Sequence, residues 1–470
     1  MFKKISLALV AASFAVIGTA QSNEFEYRRS SLSMIMLDNN DKSLNGDIKN
    51  AVVTAFNEKA IPAKFNDHNL TDLRSINTKN LPEVTKEEIA KYETKMEAAI
   101  AKGAEAAKKA GINLPAKSQA KYIAQLMKYF EQNHTANKMI AKWFNRDAEK
   151  KTVYEKGRYY NNHLIVERGF TGFTAEKKAE MMGMEGGIGK LASAALFDMV
   201  PRTFLVVTRY EFLSAQEIVD MLVAPAQLAV AMAAEKAAAA GNNPLVQKAV
   251  DLAKAKAAKE IEVQAAKIQG YFVSTNTYLF QLEWNKEVFA KFNALDWTKA
   301  ETVDQFMKDG SYKVNFVGQT SKYAPAGMTV SKDNKSIELV KRALNRSTDA
   351  AIGKLQLEYD VFKTLAPVYA EGEDVYAQIG VNEGVTEDSK FEIVELIADA
   401  EGNITFKKKQ NATVLPGKVW DNREGAGVAI EGEAKMEDGV KADPSLKGTY
   451  LKAKAKKIVS GMQYVRQAKK

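Results

Sequence analysis

The chain contains no cysteine, and that one absence removes several classes of protein at once. A disulfide framework cannot form, no thiolate can ligate a metal, no cysteine nucleophile is available, and a lipid anchor on a mature N-terminal cysteine is excluded. Histidine is nearly as scarce. His68, His134 and His163 are the only three, and none sits in an HExxH or comparable paired-ligand spacing. His68, within FNDHNL (65–70), reads as a polar-loop hydrogen-bonder. A GxSxG serine elbow is missing. Gly189-Lys190 ends a glycine-rich stretch, but a phosphate-binding loop needs glycine where Met184 stands and serine or threonine where Leu191 stands. The stretch is read as a flexible lead-in to a helix. No cofactor and no metal is expected from these residues.

Long apolar runs are lacking too. The first twenty residues, MFKKISLALVAASFAVIGTA, place Lys3 and Lys4 before an uncharged run over 5–17, then Gly18 and Ala20 at the cleavage-site positions. That pattern predicts a secretory signal peptide cleaved after Ala20. A membrane anchor needs about 20 apolar residues, more than this run supplies. A second uncharged run, 221–234, is also too short to cross and contains Pro225. No transmembrane span is expected.

What remains is an ordinary soluble composition: 46% hydrophobic and 27% charged residues in a chain of 470. Removing Lys3 and Lys4 from the formal charge of +9 leaves +7, spread among acidic residues. For an exported chain this balance points to solvated helix faces and to peripheral attraction by an anionic envelope surface, with no nucleic-acid partner.

Periodicity supplies the elements. RRSSLSMIML (28–37) has strand length, and Ile48, Val52 and Phe56 mark a helix that stops before Pro62. Thr85 and Glu88 have capping-box spacing and open a helix expected to run to Gly111. A second helical stripe after Pro115 carries Ile123, Leu126, Met127, Phe130, Met139, Ile140, Trp143 and Phe144, and the two helices should pack antiparallel. RTFLVVTRYEF (202–212) and GYFVSTNTYLFQLEW (270–284) read as strands around a long alanine-rich excursion whose turn is GNNP (241–244). This excursion is expected to form a helical hairpin, with Leu228 and Val230 as self-association residues. Glutamate at both should weaken an oligomer, and an unchanged mass in light scattering would count against it. NKEVFAKFNAL is a helix, YKVNFVGQT a strand, and a further helix is expected from Ser336 to about Phe362.

At LAPVYAEGED the pattern changes. Val375, Ala377 and Ile379 alternate, as do Phe391 and Ile393 against Val394 and Leu396, and GMQYVRQ (461–467) closes the chain's β pattern. The expected organisation is a signal peptide (1–20), an α/β (α+β) layered domain (21–367) with helical insertions over about 84–145 and 214–269, and a small β-barrel-like domain (368–470). A glycine-rich acidic loop would occupy 424–441. Within KVWDNR, Trp420, Asp421 and Arg423 are types suited to gripping a sugar or peptide; the plainer alternative is a strand-end aromatic covering the barrel before a polar turn.

The blocks RRSSLSMIML, FNDHNL, AKWFNRD, RTFLVVTRYEF, TYLFQLEWN and GMQYVRQ together resemble a group of exported Bacteroidales-type proteins of unknown function. The resemblance implies export and brings no catalytic residues. The order of strands and helices is also similar to curli-assembly-type α/β domains, and the C-terminal part to small barrels of envelope and flagellar accessory proteins, from which the long helical insert departs.

These readings predict an exported, non-enzymatic cell-envelope protein, periplasmic or outer-membrane-associated, with a structural, assembly or interaction role. Its partner would be an envelope protein or a second copy bound through the hairpin. The alternative is a secreted glycan hydrolase working through carboxylates, of which the chain has many (Asp plus Glu 58).

Overall fold

The computed structural model describes residues 30–38, 46–70, 72–93, 119–144, 172–183, 186–214, 271–297, 299–325, 334–398, 404–423, 443 and 445–468. The expected signal peptide, the hairpin residues Leu228 and Val230, and the loop 424–441 lie outside them. The architecture is α+β: helices on a mixed sheet, and then a closed six-stranded antiparallel barrel.

Strand β1 (Ser30–Asp38) is buried along nearly its whole length. It pairs in parallel with β2 (Phe65–Asp67), β3 (Ser75–Asn77) and β4 (Thr203–Ser214). From β4 the sheet continues antiparallel through β5 (Tyr271–Leu282) to β6 (Val314–Pro325). The parallel step from β1 to β2 needs a crossover, which helix α1 (Gly46–Glu58) provides. Both faces of the sheet are covered, which is why β1 reads as a continuous apolar run. Ile35 and Leu37 enter one core while Leu32, Met34 and Met36 enter the other; Leu205 and Val207 oppose Phe204 and Val206 in the same way.

The first core is roofed by α3 (Gln119–Gln132) and α4 (Thr135–Phe144), which follow the one-turn helix α2 (Lys86–Ala90). Next come α5 (Ala175–Met182) and α6 (Gly187–Ala194), the latter leading through a π-helical turn (Ala195–Met199) towards β4. Helices α7 (Lys286–Asn293) and α8 (Ala300–Lys308) complete this layer with Phe292 and Phe306. The second core lies under α1 and α9 (Asn334–Glu358), which contribute Val52, Phe56, Val340, Leu344, Ile352 and Leu355.

Four expectations change. The capping box at Thr85 and Glu88 is formed, with bonds of 2.7 and 3.2 Å, but its helix ends at Ala90. Residues 94–118, where it was expected to continue, lie outside the described part. FNDHNL is not a polar loop: Phe65–Asp67 is a strand on β1, and Phe65, His68 and Leu70 are buried. Two of its polar side chains bond to backbone, with Asn69 Oδ1 accepting from Met34 N–H at 2.8 Å and His68 Nε2 lying 2.8 Å from the Met139 carbonyl oxygen. The glycine-rich stretch, read as a lead-in to a helix, is itself helical from Gly187. Helix α9 ends at Glu358, and a separate 3-10 turn (Asp360–Phe362) finishes the segment expected to be helical to Phe362.

The barrel comprises β7 (Leu365–Glu371), β8 (Asp374–Ala377), β9 (Lys390–Ala398), β10 (Ile404–Val414), β11 (Thr449–Lys452) and β12 (Gln463–Gln467), closed in the order β10-β11-β8-β7-β12-β9. Alternate residues fill it: Ala366, Val368, Val375, Ala377, Phe391, Ile393 and Val465 point inward. Leu365, Val394, Leu396 and Tyr464 pack instead with Phe173, Met181 and Ala194, so α5 and α6 cover one outer side. No helix among the described residues is long and apolar enough to cross a membrane.

Candidate functional site: a groove between the helix layer and the barrel

Helix α9 lies on the sheet with one face and meets the barrel with another. The meeting point is Gly353, where a Cβ would stand 2.6 Å from the Asn382 carbonyl oxygen and 3.1 Å from Gly384 N. Glycine in a helix interior costs about 1 kcal/mol relative to alanine, and here the close approach explains it. Asn382 belongs to a 3-10 turn (Val381–Glu383) that ends in the left-handed Gly384.

Residues 420–423 are tied onto that turn. Val381 N–H donates to the Trp420 carbonyl (3.1 Å), Asn382 N–H donates to Asn422 Oδ1 (2.9 Å), and Asn382 Nδ2 donates to the Asn422 carbonyl (2.8 Å). Glu383 Oε2 accepts from Gly380 N–H (2.7 Å) and from Asn422 Nδ2 (2.9 Å). The end of α1, residues 59–64, α9, the turn and residues 420–423 enclose an open groove of about 980 Å³.

Its charges are balanced and mostly paired inside the protein. Five basic side chains (Lys59, Lys64, Lys341, Arg342, Arg423) face five acidic ones (Glu58, Glu338, Asp349, Glu383, Asp421). Lys59 and Asp349 form a buried pair at 2.9 Å. Arg423 grips Asp421 with two parallel bonds, Nε to Oδ1 at 2.8 Å and a terminal nitrogen to Oδ2 at 2.7 Å. Burial pushes the Asp421 carboxyl up, but the bonds and charge of Arg423 outweigh it and hold the group below its ordinary value. Glu383 goes the other way: burial raises its pKa, and the nearby Lys64 ammonium offsets only part of that. Burial lowers Lys64, with Glu383 opposing.

Two of the lining residues carry buried oxygens without a partner among the described residues. Gln356 is 3% exposed, and its Oε1 has no hydrogen-bond partner among the described residues; the same is true of Asn382 Oδ1. The half-buried Trp420 is another of the lining residues.

The structure therefore brings Trp420, Asp421 and Arg423 to one groove, while the other two candidate residues, Leu228 and Val230, lie outside the described part. Sequence reasoning missed Lys59, Lys64, Asp349, Gln356, Asn382 and Glu383, which come from three segments far apart in the chain. The one sequence signal was Gly353 inside an otherwise regular helical pattern, which marks a close contact. Among the described residues, no group of three His, Asp or Glu side chains is arranged to hold a metal. Chemically, the groove can seat a polar molecule of low net charge.

Compared with known proteins, the chain matches no family model and no curated sequence.

Proposed function

We propose that the chain is an exported, non-enzymatic protein of the cell envelope, periplasmic or associated with the outer membrane, that serves assembly or interaction by holding a partner molecule in the groove beside Trp420. The observation that carries this reading is the commitment of the groove's carboxylates. Both Asp421 oxygens are bound by Arg423, and Glu383 Oε2 accepts two bonds that fix the 3-10 turn. Groups so engaged serve to shape a site. The N-terminal pattern of Lys3, Lys4 and the apolar run supports export. Self-association through the alanine-rich hairpin is a second contact of the same protein.

The test is to crosslink cells carrying the tagged full chain before lysis, fractionate them, and identify co-purifying envelope components by mass spectrometry. We expect recovery in an envelope complex that Trp420→Ala depletes. A free monomer whose recovery is the same with and without the substitution overturns the reading.

A second reading, a carboxylate-dependent glycan hydrolase, is favoured by one observation: Glu383 is raised and Asp421 lowered in the same groove. Opposed shifts of this kind separate an acid from a base. Release of reducing ends from a glycan, lost in Glu383→Gln, would establish it.

A further inference from the structure

We infer that the ligand of the groove is a neutral glycan chain; the inference rests on the binding role proposed above and names its substrate class. The half-buried Trp420 is among the residues that line the groove, and sugar rings pack their C–H faces against aromatic side chains. Around it stand planar side chains that make paired hydrogen bonds: the Asp421–Arg423 fork and the amides of Gln356 and Asn382. Gln356 and Asn382 both line the groove, and amide side chains carry the donors and acceptors that pair with the hydroxyl groups of a sugar.

Other ligand classes fit less well. A phosphate-bearing polymer needs a surplus of cations, and here five basic side chains are matched by five acidic ones. A peptide that binds by adding a strand needs an open sheet edge. The barrel is closed, and the groove is walled by helices α1 and α9, a 3-10 turn and connecting segments. The volume of about 980 Å³ lies at the upper end of small-ligand sites, about 300–1,000 Å³, and leaves room for several sugar rings.

The experiment titrates the full chain with short neutral oligosaccharides of the gluco-, xylo-, manno- and N-acetylgluco- series, by calorimetry and tryptophan fluorescence. Saturable binding of at least one series is expected. Trp420→Ala and Gln356→Leu should each weaken it about tenfold, and Trp420→Phe should restore most of it, with unchanged circular dichroism in all three. No binding by any series, or binding that Trp420→Ala leaves intact, overturns the glycan assignment. In the first case, an envelope complex still depleted by Trp420→Ala in cells leaves the groove reading standing, so the two failures are distinguishable. Cleavage of the bound oligosaccharide would retain the glycan assignment and overturn the non-enzymatic role.

Discussion

Glu383 shows how one side chain is asked to do two jobs. Its carboxyl fastens the turn that carries Asn382, yet burial makes its ionised form costly. A carboxyl whose folded pKa is raised contributes its stability in full below the unfolded value, and loses it as pH rises through the folded value. Glu383→Gln keeps an acceptor oxygen and does not titrate. The variant should match the parent near pH 4 and be the more stable of the two near pH 8, as read from denaturation midpoints. A parent that gains on the variant with rising pH would show that attraction to Lys64 outweighs burial. None of this was visible in VNEG as a string, because the shift arises from burial under segments far away in the chain, with Lys64, equally distant, opposing it. Trp420, Asp421 and Arg423 could be singled out because they are adjacent; their neighbours in the groove could not.

At the scale of elements, α9 is the piece that makes the groove. Placing alanine at a helix-interior glycine normally stabilises by about 1 kcal/mol. At Gly353 the new methyl would stand 2.6 Å from the Asn382 carbonyl, so the sign reverses. Gly353→Ala should destabilise by about 1–3 kcal/mol, as overpacking does, with the loss read by urea denaturation. A gain in stability would mean that the turn is free to move away. The periodicity of α9 was legible because its apolar face meets one sheet, and the β8 and β9 alternation was legible because barrel strands have an inside and an outside. Strand β2 was not, since three residues are too few to show a period and their extended state is imposed by parallel pairing with β1. Helix α2 stops early despite a complete capping box, a reminder that a cap fixes where a helix begins and leaves its length to packing.

Across the whole molecule, the question is whether the sheet layer and the barrel behave as one body. Contacts between units of one chain are often weak enough to permit relative motion. Here the joints are short and anchored on both sides. Phe362 is fully buried in the core beneath α9, and Leu365, after only Lys363 and Thr364, already packs with Tyr464 and Phe173. Lys363 is itself held to Asp360 at 2.6 Å. On the other side, Ala194 belongs to the cluster against the barrel and its neighbour Ala195 to the cluster against the sheet, while Thr174 Oγ1 donates to the Gly461 carbonyl. Neither unit can shed its partner without exposing apolar surface belonging to both. The full chain should therefore unfold in a single calorimetric transition, with van't Hoff and calorimetric enthalpies equal within error. Gly353→Ala should lower the midpoint of that transition without splitting it. Two resolved peaks in the parent protein would mean that the joints transmit little, and the groove would then be a gap whose width changes as the barrel moves.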